Sequence, residues 1–70
     1  MKVKDLPKGT SLRGVKVRTP DGKEMYWHSQ WGYEDGGAGV WLKEKISDTQ
    51  IHPYTDINSL KDCLEWEVIN

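Results

Sequence analysis

Few residues of this 70-residue chain can do chemistry. Apart from carboxylates, His28, His52 and Cys63 are the only side chains suited to act as nucleophile, general base or transition-metal ligand. No two of them stand at the spacing of a metal-ligand pair or a catalytic dyad. The glycines of residues 32–39 lead into a strand and not into a helix, which argues against a phosphate-cradling loop. A chain this short also has little room for a substrate pocket of roughly 300–1,000 Å³. The expectation is a protein that is not an enzyme, with no metal and no cofactor. Cys63, beside Leu64, reads as a small buried hydrophobe.

Surfaces for binding are better represented. Tyr26, His28 and Gln30 alternate with Trp27, Ser29 and Trp31, and Lys16, Arg18 and Lys23 lie across or at the end of the same hairpin. Aromatics interleaved with cations on a sheet can stack bases and neutralise phosphates, so Lys16, Arg18, Lys23, Tyr26 and His28 form a candidate nucleic-acid face. The plainer reading of those residues is a solvated sheet face with ordinary cross-strand pairs. A candidate protein-binding set is Trp31, Tyr33, Tyr26 and His28. Tyr33 lies in the glycine-rich segment and offers rigid contact area at low entropic cost, while its neighbours Glu34 and Asp35 would repel nucleic acid. Glu44, Asp48, Asp62, Glu65 and Glu67 could compose an acidic surface, although a solvated face is the default for them.

Net charge is −1 but unevenly spread. Residues 1–23 hold seven Lys or Arg against two acids, a net +5, and residues 24–70 hold three against nine, a net −6. Either the molecule is a dipole, or the first and last strands pair and their charges complement one another.

The elements that must position these residues are short strands. Residues 23–46 carry three of the four tryptophans and two alternating runs separated by glycines, the pattern of a long-looped hairpin through a small core. Before it, residues 11–19 alternate as a strand interrupted by Gly14, and Pro20-Asp21-Gly22 is a tight-turn signal that pairs strands one and two antiparallel. In strand two, Met25, Trp27, Ser29 and Trp31 share the face expected in the core. A third strand is expected over residues 40–45, with either Trp41 or Val40 and Leu42 inward. Ser47-Asp48 is a turn, and residues 49–54 a fourth strand in which Pro53 signals a strand end or an edge. Asn58 or Ser59 caps a helical turn with Asp62 and with Leu60 and Leu64 in i, i+4 spacing. Residues 64–70 alternate again, with Leu64, Trp66 and Val68 inward.

The fold class expected is therefore all-β, one domain over residues 1–70, a small five-stranded antiparallel barrel with one helical turn before the last strand. In its PDG hairpin, its glycine-rich segment 32–39 and its NSLKD turn followed by LEWEV, the chain resembles SH3-like small β-barrels. The opening LPKGTSL and the compact hairpins are similar to small accessory proteins of bacteria and phages that adopt this barrel. The ALYDY-type segment and paired tryptophans of peptide-binding SH3 domains are not visible, so their polyproline-binding residues do not carry over.

With no signal-like or membrane-spanning apolar run and a lone thiol, the chain reads as cytoplasmic, a monomer or weak homodimer. The function expected is non-catalytic binding of a protein partner, in the manner of a phage or mobile-element factor modulating a host protein. The alternative is binding of nucleic acid.

Overall fold

A computed structural model describes residues 1–32, 37–55, 57 and 59–69. Five strands, β1 (Lys16–Arg18), β2 (Glu24–Gly32), β3 (Ala38–Lys43), β4 (His52–Tyr54) and β5 (Glu67–Val68), form one antiparallel sheet in the order β4-β3-β2-β1-β5. A single helical turn, α1 (Leu60–Cys63), precedes β5, and a 3-10 turn, Val3–Asp5, opens the chain. The fold is thus the small all-β, five-stranded antiparallel arrangement expected, with its helical turn in the expected place.

Local chemistry explains the elements. At Pro20-Asp21-Gly22 the Gly22 N–H donates to the Thr19 carbonyl at 2.8 Å, Gly22 takes φ +87°, and Asp21 accepts from the Thr19 hydroxyl. Proline presets the first turn angle and glycine accepts the left-handed one. The first strand is shorter than its alternation predicts, because residues 12–15 close a turn with Gly14 at φ +86° and Val15 N–H donating to Leu12 C=O at 3.0 Å. α1 begins where Ser59 N–H meets the Asp62 carboxylate at 3.4 Å. Asn58, Tyr33 and the rest of residues 33–36 lie outside the described residues.

Residues facing each other across the ladder share a face, and these pairs define the core. Val17 opposes Met25 and Val68, Trp27 opposes Leu42, and Val40 opposes Tyr54. Val17 and Val40 are fully enclosed, and Leu42, Cys63 and Trp66 are buried beside them. The alternatives for β3 therefore resolve with Val40 and Leu42 inward and Trp41 outward. Trp66 packs edge-on against Trp27 at 5.9 Å and against Tyr54 of β4 at 5.1 Å, so the two ends of the sheet meet through aromatic side chains. Leu64, expected on the same face as Trp66, is instead exposed, because residues 64–66 are still in the turn that leaves α1 and have no strand alternation.

Both sheet edges are blunted. On β5, Val68 N–H donates to Met1 C=O at 2.8 Å, Lys2 bridges Glu67, and Val3 N–H reaches Trp66 C=O at 2.9 Å. On β4, Pro53 removes a donor. The start of the chain brings its charges along. Lys2 and Lys4 both pair with Glu65, at 2.9 and 3.0 Å, and the terminal ammonium lies 3.6 Å from Glu67. Glu24 similarly pairs with Lys16 and Arg18, and Arg18 also sits opposite Glu67 in register. The uneven charge is thus partly paired, between the two ends of the chain at Glu65 and Glu67 and across the first hairpin at Glu24.

These pairs set a pH dependence. Hydrogen bonds from Lys2 and then Lys4 hold the Glu65 carboxyl below the ordinary glutamate value, and Arg18 foremost does so for Glu24. A carboxyl with a depressed folded pKa contributes stability above its unfolded pKa and loses it as pH falls through the folded one. We expect unfolding midpoints to drop as pH falls below the ordinary glutamate value. Glu65→Gln should flatten that limb modestly, as should high salt, because the groups are exposed and screened. An acid limb of equal slope in wild type and Glu65→Gln, measured by urea unfolding at several pH values, would contradict this account.

Candidate binding face

The outer face of the sheet carries the candidate site, and one irregularity in β2 decides what it holds. Trp27 pairs with Leu42 but Ser29 pairs with Trp41, so His28 is an extra residue with no β3 partner, a β-bulge. In an unbroken strand Met25, Trp27, Ser29 and Trp31 would share one face. The bulge exchanges the faces beyond Trp27. Gln30 moves to the side of Val40, while Ser29 and Trp31 move outward beside Trp41. The expectation that Trp31 belongs to the core is thereby corrected, and Gln30, expected on the opposite face from Trp27, accepts a hydrogen bond from its indole N–H at 2.7 Å.

Trp31 and Trp41 meet with ring centroids 5.1 Å apart at 42°, both half-buried. Trp31 lies directly across Gly39, its ladder partner. A Cβ built on Gly39 would overlap the Trp31 ring. Pro53, exposed, stands opposite Trp41 on the neighbouring strand. The result is a small apolar platform of two indoles and a proline ring on the outer surface.

Along the same face toward β1, Tyr26 lies between Lys16 and Lys43, its register partners on either side. The Lys16 ammonium sits 5.7 Å from the centre of the Tyr26 ring, within reach of a cation–π attraction. The cations named for a nucleic-acid face divide in the structure. Lys16 stays beside Tyr26, with Glu24 at 3.5 Å, whereas Arg18 lies between Glu24 and Glu67 and is neutralised, and Lys23 sits at the turn end of the hairpin. Alternation alone did not single out Arg13 and Lys43. Both line a cleft with Tyr26 and His28, and among the described residues neither has an ion-pair partner. Only the Leu12–Val15 turn, invisible to strand periodicity, brings Arg13 there.

His28 is half-buried with Nδ1 2.9 Å from the Ser29 hydroxyl. Burial, then the charges of Arg13 and Lys43, lower its pKa, which favours the neutral imidazole. His52, on β4, pairs with Leu42 of β3, and Cys63 is enclosed in the core, where burial pushes its thiol up to about 11. Such a thiol is protonated at neutral pH and a poor nucleophile. Among the described residues, no group of three His, Cys, Asp or Glu comes together to hold a metal, and no helix is long and apolar enough to cross a membrane. Comparison with protein-family models, with curated proteins and with solved structures finds no match to this chain, so its reading rests on its own geometry.

Proposed function

We propose that this chain is a non-catalytic binding module that engages a protein partner through the outer face of β2 and β3. The observation that carries the reading is the bulge at His28, which turns Trp31 outward against Trp41 over Gly39. Indoles that have no place in the core and stand beside an exposed proline resemble the aromatic anchors that dominate protein interfaces. Tyr26 and His28 extend the surface toward Lys16 and Lys43. The frame for this role is the five-stranded antiparallel sheet, with a helical turn before its last strand.

The test compares partner capture by the wild type and by Trp31→Ser and Trp41→Ser variants whose folding is checked by the dispersion of their amide NMR signals. Loss of a captured protein from both variants is the expected result. Retention by both overturns the reading.

Binding of single-stranded nucleic acid is a second reading, favoured by one observation, the flanking of Tyr26 by Lys16 and Lys43 on an outward face. It requires affinity that falls steeply with salt.

A further inference from the structure

The bulge of β2 and the Leu12–Val15 turn are built against each other. Gly14 N–H donates to Trp27 C=O and Trp27 N–H donates to Val15 C=O, both at 2.8 Å, which fixes Arg13 beside His28. From the other side β3 brings Lys43, the register partner of Tyr26. Between them lies a cleft of about 190 Å³ whose walls include Tyr26, Trp27 and Ile46. Ile46 is 62 % exposed at its rim. A second groove of about 340 Å³ shares Arg13 and His28 with the first and is lined by the polar Thr10, Ser11, Ser29 and Gln30.

Lys2, Lys4, Lys16 and Arg18 are each paired with a carboxylate, and of the cations with no ion pair among the described residues Arg13 and Lys43 are the two that line this cleft. Two unneutralised cations, an apolar and aromatic wall on one side and hydroxyls on the other match the three parts of a nucleotide: phosphate, base and sugar. We propose that the cleft beside the β2 bulge binds a nucleotide unit, with its phosphoryl group between Arg13 and Lys43, its base against Tyr26 and Ile46, and its sugar toward the hydroxyl-lined groove. The unit can be a free mononucleotide or one residue of a single strand. In the second case the proposal rests on the nucleic-acid reading, and in both it stands apart from the protein-partner reading.

His28 gives the site a built-in reporter. The charges facing it come from Arg13 on the turn and Lys43 on β3, with Tyr26 the other titratable group of its own strand in the cleft. An anion placed between those two cations offsets their repulsion of a protonated imidazole. Binding therefore raises the His28 pKa, and by reciprocal linkage protonation of His28 strengthens the hold on the anion, against which the phosphate's own protonation near about pH 6 acts.

The test follows the His28 ring by NMR in the full chain, with His52 as internal reference. The titrants are adenosine monophosphate, inorganic phosphate and a short single-stranded oligonucleotide. Millimolar mononucleotide is expected to move the His28 signals and raise their titration midpoint more than inorganic phosphate does. Arg13→Gln and Lys43→Gln should each weaken that response by about tenfold, as loss of one charge-assisted contact does. Arg18→Gln should leave it unchanged. Arg13 is exposed, and unaltered Val17 and Trp27 amide signals would show that its variant is folded.

A response to mononucleotide alone assigns a free nucleotide as ligand. A response also to the oligonucleotide, lost in Arg13→Gln, assigns a strand. Three results overturn the proposal: a static His28, equal response to inorganic phosphate and mononucleotide, or wild-type binding by Arg13→Gln. Oligonucleotide binding that shifts only the Trp31 and Trp41 indoles would preserve the strand-binding reading and remove this site.

Discussion

Replacing Trp66 by alanine is expected to cost about 3–5 kcal/mol and to leave the chain largely unfolded at room temperature. Trp66 is 5 % exposed and touches both Trp27 of β2 and Tyr54 of β4, so it joins the two ends of the sheet. Its loss opens a cavity where side chains join β4 to the β5 end of the sheet. A 70-residue chain with a single cysteine has no disulfide to offset that loss, and domains of this size have little stability to spare. Leu64→Ala, two residues away at a site 42 % exposed, should change stability by no more than about 0.5 kcal/mol. Urea denaturation followed by tryptophan fluorescence separates the two cases. A Trp66→Ala protein with a cooperative transition close to that of wild type would refute the aromatic closure.

The second large effect comes from a single methyl group. In Gly39→Ala the added Cβ collides with the Trp31 ring, and the strand backbone beneath it has little freedom to yield. The expected outcome is displacement of Trp31 from Trp41, a destabilisation of about 1–3 kcal/mol, and weakened capture of a protein partner. The sign should reverse in a Trp31→Ala background. There the clash with the indole is gone, and an alanine in a strand restricts the unfolded chain more than glycine does, worth about 0.4–1 kcal/mol in favour of folding. A double-mutant cycle on residues 31 and 39 measures the coupling. Additive effects would mean that Trp31 does not lie across Gly39. The cycle also connects stability to function, since the glycine is the seat on which the outer indole rests.

The layout of the fold was legible because its signals are local. Pro20-Asp21-Gly22 dictates its turn by the dihedral preferences of three adjacent residues, and the Ser59 and Asp62 pair marks the start of α1 in the same way. The enclosure of Val17, Met25 and Trp27 followed from apolar character within short alternating runs, and that of Cys63 from its being a small apolar side chain beside Leu64. Element ends were less legible. Residues 11–15 alternate like a strand yet form a turn, since Gly14 at positive φ overrides the pattern around it. The segment 32–39 looked like loop throughout, yet Gly32 pairs with Ala38 and Gly39 with Trp31, because a wide aromatic ring needs a residue without a side chain opposite it.

The candidate site was half legible. Tyr26, His28 and Lys16 do share a surface region, whereas Arg18 is held between two glutamates and Arg13 and Lys43 take the place beside His28. Charge counts along a chain give the number of cations but not which of them find a carboxylate. That depends on residues distant in sequence, as when Glu65 draws in Lys2 and Lys4 across more than sixty positions.

By itself, the sequence determined the all-β class, the count of strands and their order along the chain, the tight hairpin, the helical turn and most of the apolar core, all of which follow from dihedral preferences and two-residue periodicity within a few residues. Only the tertiary structure decided the facing of Trp31, Trp41 and Gln30. An unpaired residue at His28 reverses every side chain after it, and whether a strand carries such a residue is fixed by its register with a second strand.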